Sequence, residues 1–268
     1  MAAVAGGAFV LSRPSEPGLS DPTAILDAAT VQLAAAQSVH FVADLDGTVS
    51  LGLFSPAEAG SAQPLTLTGT HADGDIDLMA REASLRFEVP ALLGLTGRLV
   101  EMPDGTYLSS TLTGDGWISV GDRTGVALPG GEPLAQISNL RALLADPASS
   151  GTKLDDVDCT AGRCYQVRVW LTSEQVRVLF PSPAQGGAST QPTGPVAHTP
   201  AIDPARGTVD ARVDRGSLRL SEALIHLDLG DGTAFDLDLR FSAWGAPVAI
   251  EAPPFDEVAP SASPAPAL

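Results

Sequence analysis

Ser150-Gly151-Thr152-Lys153 has the S-x-x-K spacing that sets a nucleophilic serine beside a lysine in penicillin-recognising enzymes. That chemistry needs a helix start to aim both side chains, together with an SDN and a KTG element. Neither element occurs, and the following Leu154-Asp155-Asp156-Val157 reads as a strand. No G-x-S-x-G elbow occurs, so a hydrolase triad has no anchor. Asp73-Gly74-Asp75-Ile76-Asp77 and Asp228-Leu229-Gly230-Asp231-Gly232 are spaced superficially like calcium loops. Both lack the terminal glutamate of an EF-hand. Aspartate is also the residue expected at hairpin turns and on the wet face of a strand, as at Asp236 and Asp238. His40, His71, His198 and His226 are too dispersed to nominate a metal site, and no carboxylate pair stands out for glycosidase chemistry. The reading is of a protein that is not an enzyme, with no catalytic residue, no metal and no cofactor.

Cys159 and Cys164 are the two cysteines, separated by Thr160-Ala161-Gly162-Arg163. Zinc would need three or four ligands, and no histidine lies near them in sequence. A thioredoxin-like motif needs two intervening residues rather than four. A disulfide across a strand–turn–strand corner is the simplest account, and it points to an oxidising, extracytoplasmic compartment (periplasm or the outer face of the membrane).

The elements that must carry these residues are mostly strands. Asp21-Pro22 predicts a helix start, followed by Ile25, Leu26, Ala29, Leu33 and Ala36 at helical spacing to about Gln37. The period then becomes two. Val39, Phe41, Ala43 and Leu45 alternate with polar neighbours, and Val49, Leu51 and Leu53 resume the series. Ala83, Leu85, Phe87 and Val89 repeat it, as do Tyr165, Val167, Val169 and Leu171. So do Val209, Ala211 and Val213, then Leu227 and Leu229, and finally Phe235, Leu237, Leu239 and Phe241. Asp73-Gly74, Asp104-Gly105, Asp115-Gly116 and Asp231-Gly232 read as hairpin turns between them. Two further helices interrupt this antiparallel meander. One runs over Leu134 to Ala145 with Leu134, Ile137, Leu140, Leu143 and Leu144 on its apolar side. The other is short, opened by a Thr172/Gln175 capping box and ended by Pro181.

The chain has 268 residues, 32 acidic against 15 basic, for a formal charge of −17. Nucleic-acid binding is disfavoured by that charge, and the 14 arginines and single lysine form no basic patch for anionic lipid. Apolar residues reach 44%, enough for a packed core of one large domain or two small ones. Residues 1–19 include a ten-residue apolar run, Ala2 to Leu11, too short to span a bilayer alone. It reads either as the remnant of a signal or anchor segment or as a loose Ala/Gly terminus. Residues 20–255 form the folded domain, within which 181–206 is Pro/Gly/Ser/Thr-rich and reads as a flexible loop. Residues 256–268 continue a Pro/Ala/Ser-rich stretch that begins at Ala252 and reads as a tail.

An antiparallel sheet with one apolar face must cover that face. Three helices are too few to cover some ten strands laid flat, so the pattern predicts an α+β fold with a strongly curved sheet around them. A closed barrel would satisfy the same pattern. An apolar hollow is expected between sheet and helices, lined by Phe41, Ala43, Leu45, Leu85, Phe87, Val89, Val167, Val169, Leu237 and Leu239. Ile137, Leu140 and Leu144 stand opposite, and 13 aromatic residues are few to fill such an interior. A hollow of that kind receives apolar ligands.

The order of elements resembles a known family. A capped helix leads into Ser38-Val39-His40-Phe41, and Gly114-Asp115-Gly116-Trp117 precedes a Leu-rich helix ending Leu143-Leu144-Ala145-Asp146-Pro147. Cys164-Tyr165-Gln166-Val167 and the short helix follow. The closing segments are Val209-Asp210-Ala211-Arg212-Val213-Asp214, Leu237 to Gly245 and Pro247 to Pro253. Over roughly residues 20 to 255 this resembles the LppX/LprG cell-envelope lipoproteins of the LolA-like group. The resemblance implies an antiparallel half-barrel with helices on its concave face and a cavity for acyl chains. It implies non-enzymatic carriage or presentation of lipid or acylated lipoprotein at the bacterial envelope, with an envelope transport partner. A sensor or protein-interaction module on the same fold is the alternative. No lipobox cysteine is seen near the N-terminus, which leaves membrane association to a missing N-terminal anchor.

Overall fold

The computed structural model of the chain describes residues 19–50, 64–114, 116–120, 133–146, 151–160, 162–179, 206–229, 233–254 and 258–259. Helix α1 spans Pro22–Ala35. The Asp21 side chain accepts from the Thr23 backbone N–H at 3.1 Å, and Pro22 supplies a preset first φ. Ile25, Leu26, Ala29 and Leu33 are buried as one stripe, and the helix ends at Ala35, two residues before the expected end, with Ala36 extended.

Strands β1 (Ser38–Ser50), β2 (Pro64–Thr66), β3 (Thr70–Asp77), β4 (Glu82–Val89), β5 (Leu95–Met102), β6 (Gly105–Ser110) and β7 (Trp117–Val120) follow, with a 3-10 turn at Pro90–Leu92 between β4 and β5. Next come α2 (Pro133–Leu144), β8 (Gly151–Lys153), β9 (Val157–Cys159), β10 (Gly162–Leu171) and α3 (Ser173–Leu179). The last strands are β11 (Arg206–Asp214), β12 (Leu220–Asp228), β13 (Ala234–Ser242) and β14 (Val258–Ala259). All 14 strands belong to one sheet, in the order β14-β7-β6-β5-β4-β3-β1-β13-β12-β11-β10-β8. β2 pairs beside β1, and β9 beside β10. Every pairing is antiparallel except the parallel contact of β14 with β7. The end strands β8 and β14 are not joined to each other among the described residues, so the sheet is an open half-barrel and not a closed barrel.

Its curvature follows from what the helices touch. α1 packs on β8, β10, β11 and β12, while its neighbour α2 reaches β4. Six strand steps separate β4 from β10, about 29 Å if flat at roughly 4.8 Å per step. Two packed helices span only about 20 Å at interaxial distances of roughly 8–10 Å. The sheet therefore curls around them. Glu101, buried on the inner face of β5, accepts from the Leu134 backbone N–H at 3.1 Å and so ties the first turn of α2 to the sheet.

Three expectations change. Asp73-Gly74 is not a turn but lies within β3, where Gly74 sits opposite Phe41 on one side and Leu85 on the other. A Cβ on Gly74 would meet the Ser84 carbonyl oxygen at 2.2 Å and Leu85 Cα at 2.8 Å. Close approach, not chain reversal, explains that glycine. Leu154 to Val157 is not one strand. The pairing breaks after Lys153 and restarts at Val157, while Lys153 Nζ turns onto Asp156 Oδ1 at 2.7 Å. Within the expected tail, Val258–Ala259 adds to the sheet as β14. Asp104-Gly105 does form the β5–β6 turn. Leu51, Leu53, Asp115, Asp231, Gly232, the 1–18 run and the 181–205 loop lie outside the described residues.

Candidate binding hollow

Register divides the sheet into two chemically opposite faces. Val39, Phe41, Ala43 and Leu45 on β1 stand opposite Ile76, Gly74, Ala72 and Thr70 on β3, and Phe41, Ala43 and Leu45 stand opposite Phe241, Leu239 and Leu237 on β13. The inner face is apolar through this stretch except at Thr70. It continues through Ala83, Leu85, Phe87 and Val89 on β4, and through Tyr165, Val167, Val169 and Leu171 on β10.

The 13 residues expected to line the hollow all lie on this inner face or on α2, and burial sorts them. Phe41, Val167 and Val169 are buried with Leu140 and Leu144 in one core cluster with α1 and α3. Ala43, Leu45, Leu85, Phe87, Val89, Leu237, Leu239 and Ile137 are only half-buried. The partition is spatial. Val167 and Val169 lie on β10 under α1, where the helices fill the concave side. The half-buried set occupies the later part of β1, β13 and β4, with Ile137 of α2. Leu95 on β5 and Leu108 on β6 extend it. Burial is thus complete beneath α1 and only partial along β4, β13 and the later part of β1, where α2 reaches the sheet.

The outer face carries the charge. His40, His71 and His226 each stand directly across from an aspartate, namely Asp75, Asp44 and Asp236, at 3.0, 2.6 and 2.7 Å. Asp44 also pairs with Arg240. Arg168 grips Asp210 with two bonds of 2.6 Å, and Arg212 meets Glu222 at 2.5 Å. Burial, and next the neighbouring Glu222 carboxylate, push the Asp238 carboxyl above the ordinary aspartate value, with Arg212 opposing. Two clefts of about 680 and 600 Å³ open on this face. Arg86, Arg98, Asp73 and Glu88 border the first; Asp44, Asp46, Asp210 and Asp236 border the second. Asp73, Asp75 and Asp77 of the first acidic string are thus alternate residues of a wet sheet surface, and of the second string Asp228 ends β12 while 230–232 lie outside the described residues. Lys153 of the S-x-x-K string lies on a strand rather than a helix, and Ser150 is outside the described residues.

Cys159 and Cys164 are disulfide-bonded, with Cα atoms 5.9 Å apart across the β9–β10 corner. Thr172 and Gln175 form the expected capping box. The Gln175 side chain accepts from the Thr172 N–H at 2.9 Å, and the Thr172 hydroxyl accepts from the Gln175 N–H at 3.3 Å.

These features define an open, curved antiparallel half-barrel with three helices inside it and an apolar wall left partly free. The crystal structure of LprF from Mycobacterium bovis shares this fold, with a TM-score of 0.54 and 15% identity, covering 89% of this chain and 99% of that one. The crystal structure of the Mycobacterium tuberculosis lipoprotein LppX aligns with a TM-score of 0.49 and 17% identity over 86% of this chain and 98% of that one. No family model matches the chain, and no curated protein matches it. The likeness to LprF bears out the fold that the LppX/LprG resemblance implied. Among the described residues no helix is long and apolar enough to cross a membrane.

Proposed function

We propose that this protein binds lipid or an acylated lipoprotein in its hollow, without catalysis, and carries or presents it at the bacterial cell envelope outside the cytoplasm. One observation carries the reading. Leu45, Leu237 and Leu239, packed against the edge of the core, continue with Phe87 and Val89 as an apolar wall on the concave side that is only partly buried. Each acyl methylene moved from water onto such a wall contributes roughly 0.8 kcal/mol, so one C16 chain retains several kcal/mol after ordering costs. The disulfide supports an oxidising compartment.

The test uses protein freed of endogenous lipid and a fluorescent fatty acid, with native mass spectrometry of the untreated protein beside it. Saturable probe binding, displaced by phospholipid, is expected, together with a co-purifying lipid mass. Absence of both from folded protein would overturn the reading and leave a sensor or interaction module on the same fold.

A further inference from the structure

The partly buried wall runs to one end of the sheet, and the turns at that end carry exposed leucines. β4 leaves the sheet at Val89, opposite Leu95 on β5, through Pro90-Ala91-Leu92-Leu93-Gly94. β6 ends at Ser110, opposite Gly97, and continues as Thr111-Leu112-Thr113-Gly114. The Thr111 N–H donates to the Thr96 carbonyl at 3.0 Å, which joins the two turns side by side. Leu92 is 42% exposed, Leu93 103% and Leu112 80%. Leu93 also adopts a left-handed conformation, φ 59° and ψ 31°, that glycine or asparagine would take at lower cost. Among the described residues Arg81, Leu218 and Ala243 also have positive φ, and Leu93 is the one of the four that holds a large apolar side chain fully in solvent; strained positions gather at functional sites. No charged residue occurs from Pro90 to Gly97 or from Leu108 to Gly114, in a chain that is 18% charged.

We propose that these two turns form a docking rim that enters the surface of a neutral phospholipid bilayer and sets the end of the apolar wall against membrane lipid. The inference rests on the lipid-binding reading. Leu92, Leu93 and Leu112 together offer on the order of 400 Å² of apolar surface, half of the roughly 800 Å² per partner that a stable protein interface buries. They stand on protruding turn tips rather than on a flat patch. A bilayer needs no complementary shape, and the net charge of −17 favours a zwitterionic surface over an anionic one.

Flotation of the full chain with phosphatidylcholine vesicles tests the proposal, with Leu93→Asn, which suits the left-handed backbone, and Leu112→Ser combined. The double variant should lose vesicle association at least tenfold, keep its Tm at or above wild type, and bind a soluble fluorescent fatty acid within twofold of wild type. Unchanged association of the double variant would overturn the rim, as would a wild type that binds the probe but never floats. A dimer of the wild type dissolved by the same substitutions would assign the leucines to a second copy and overturn bilayer docking. Flotation without probe binding would instead count against the lipid-binding reading and leave the rim standing.

Discussion

Leu45 and Leu237 stand directly opposite each other across β1 and β13, both half-exposed on the concave face. Four residues earlier on β1, Phe41 faces Phe241 in the same register, and both of these are buried in the core. One pair of strands therefore serves as packed core at one end and as open wall at the other.

That contrast gives the first prediction. Leu237→Trp should fill open space and weaken fatty-acid probe binding about tenfold, while Tm stays within about 2 °C of wild type. Val169→Trp, buried between α1 and the sheet, should cost the roughly 1–3 kcal/mol typical of overpacking. Denaturant unfolding and probe titration on both variants separate wall from core. Equal destabilisation by the two would contradict the partition.

Gly74→Ala should destabilise by roughly 1–3 kcal/mol, because its Cβ would meet the backbone of β4, which cannot rotate away. Urea unfolding measures it. A neutral result would show that the β3–β4 contact is looser than described.

Asp238 gives a pH dependence. Its carboxyl is held above the ordinary value of 3.8, first by burial and then by Glu222. A raised carboxyl favours the protonated form in the fold. Its contribution is full below pH 3.8 and is lost as pH rises through the raised folded value. Asp238→Asn, neutral at every pH, should therefore raise Tm at pH 7 and lose that advantage as pH falls below the ordinary aspartate range. Tm against pH for both proteins checks the sign, and an advantage confined to acid would refute it.

Glu101→Ala should loosen α2 by removing the carboxylate at its first turn, at a cost of roughly 0.5–2 kcal/mol. Amide exchange within Pro133–Leu144 should rise more than exchange in β10. A uniform increase across the chain would argue against a local tie.

Thiol titration of unreduced, denatured protein should find no free thiol, since both cysteines are joined. Reduction should cost about 2 kcal/mol for so short a loop.

Much of this fold was legible because its signals are local. Asp21-Pro22 and the Thr172/Gln175 box fix helix starts through side-chain hydrogen bonds to nearby amides. The period-two rows mark β10, β11 and β13, and β12 only at Leu227. The misread Asp73-Gly74 depended on a non-local fact, the closeness of the Ser84 backbone, which no window around Gly74 reveals. The residues of the hollow were legible as a face. Which of them the helices cover was not, since Val167 and Leu237 have the same alternation and differ only in lying near α1 or away from it. The Leu92-Leu93 turn gave only an apolar dipeptide, and its left-handed backbone emerges from the geometry of the 3-10 turn.

The pairing of β1 with β13 also sets the timetable of folding. Its partners lie near opposite ends of the domain, and the Arg240–Asp44 contact across it spans 196 residues of chain. The hairpins from β3 to β7 and from β11 to β13 close short loops and can form early, whereas this seam must wait for a long-range encounter. Until Ser242 has been synthesised and β13 has docked, the two halves of the wall are separate ribbons. A nascent chain passes through that interval with both greasy faces uncovered, the stage at which such chains depend most on chaperones.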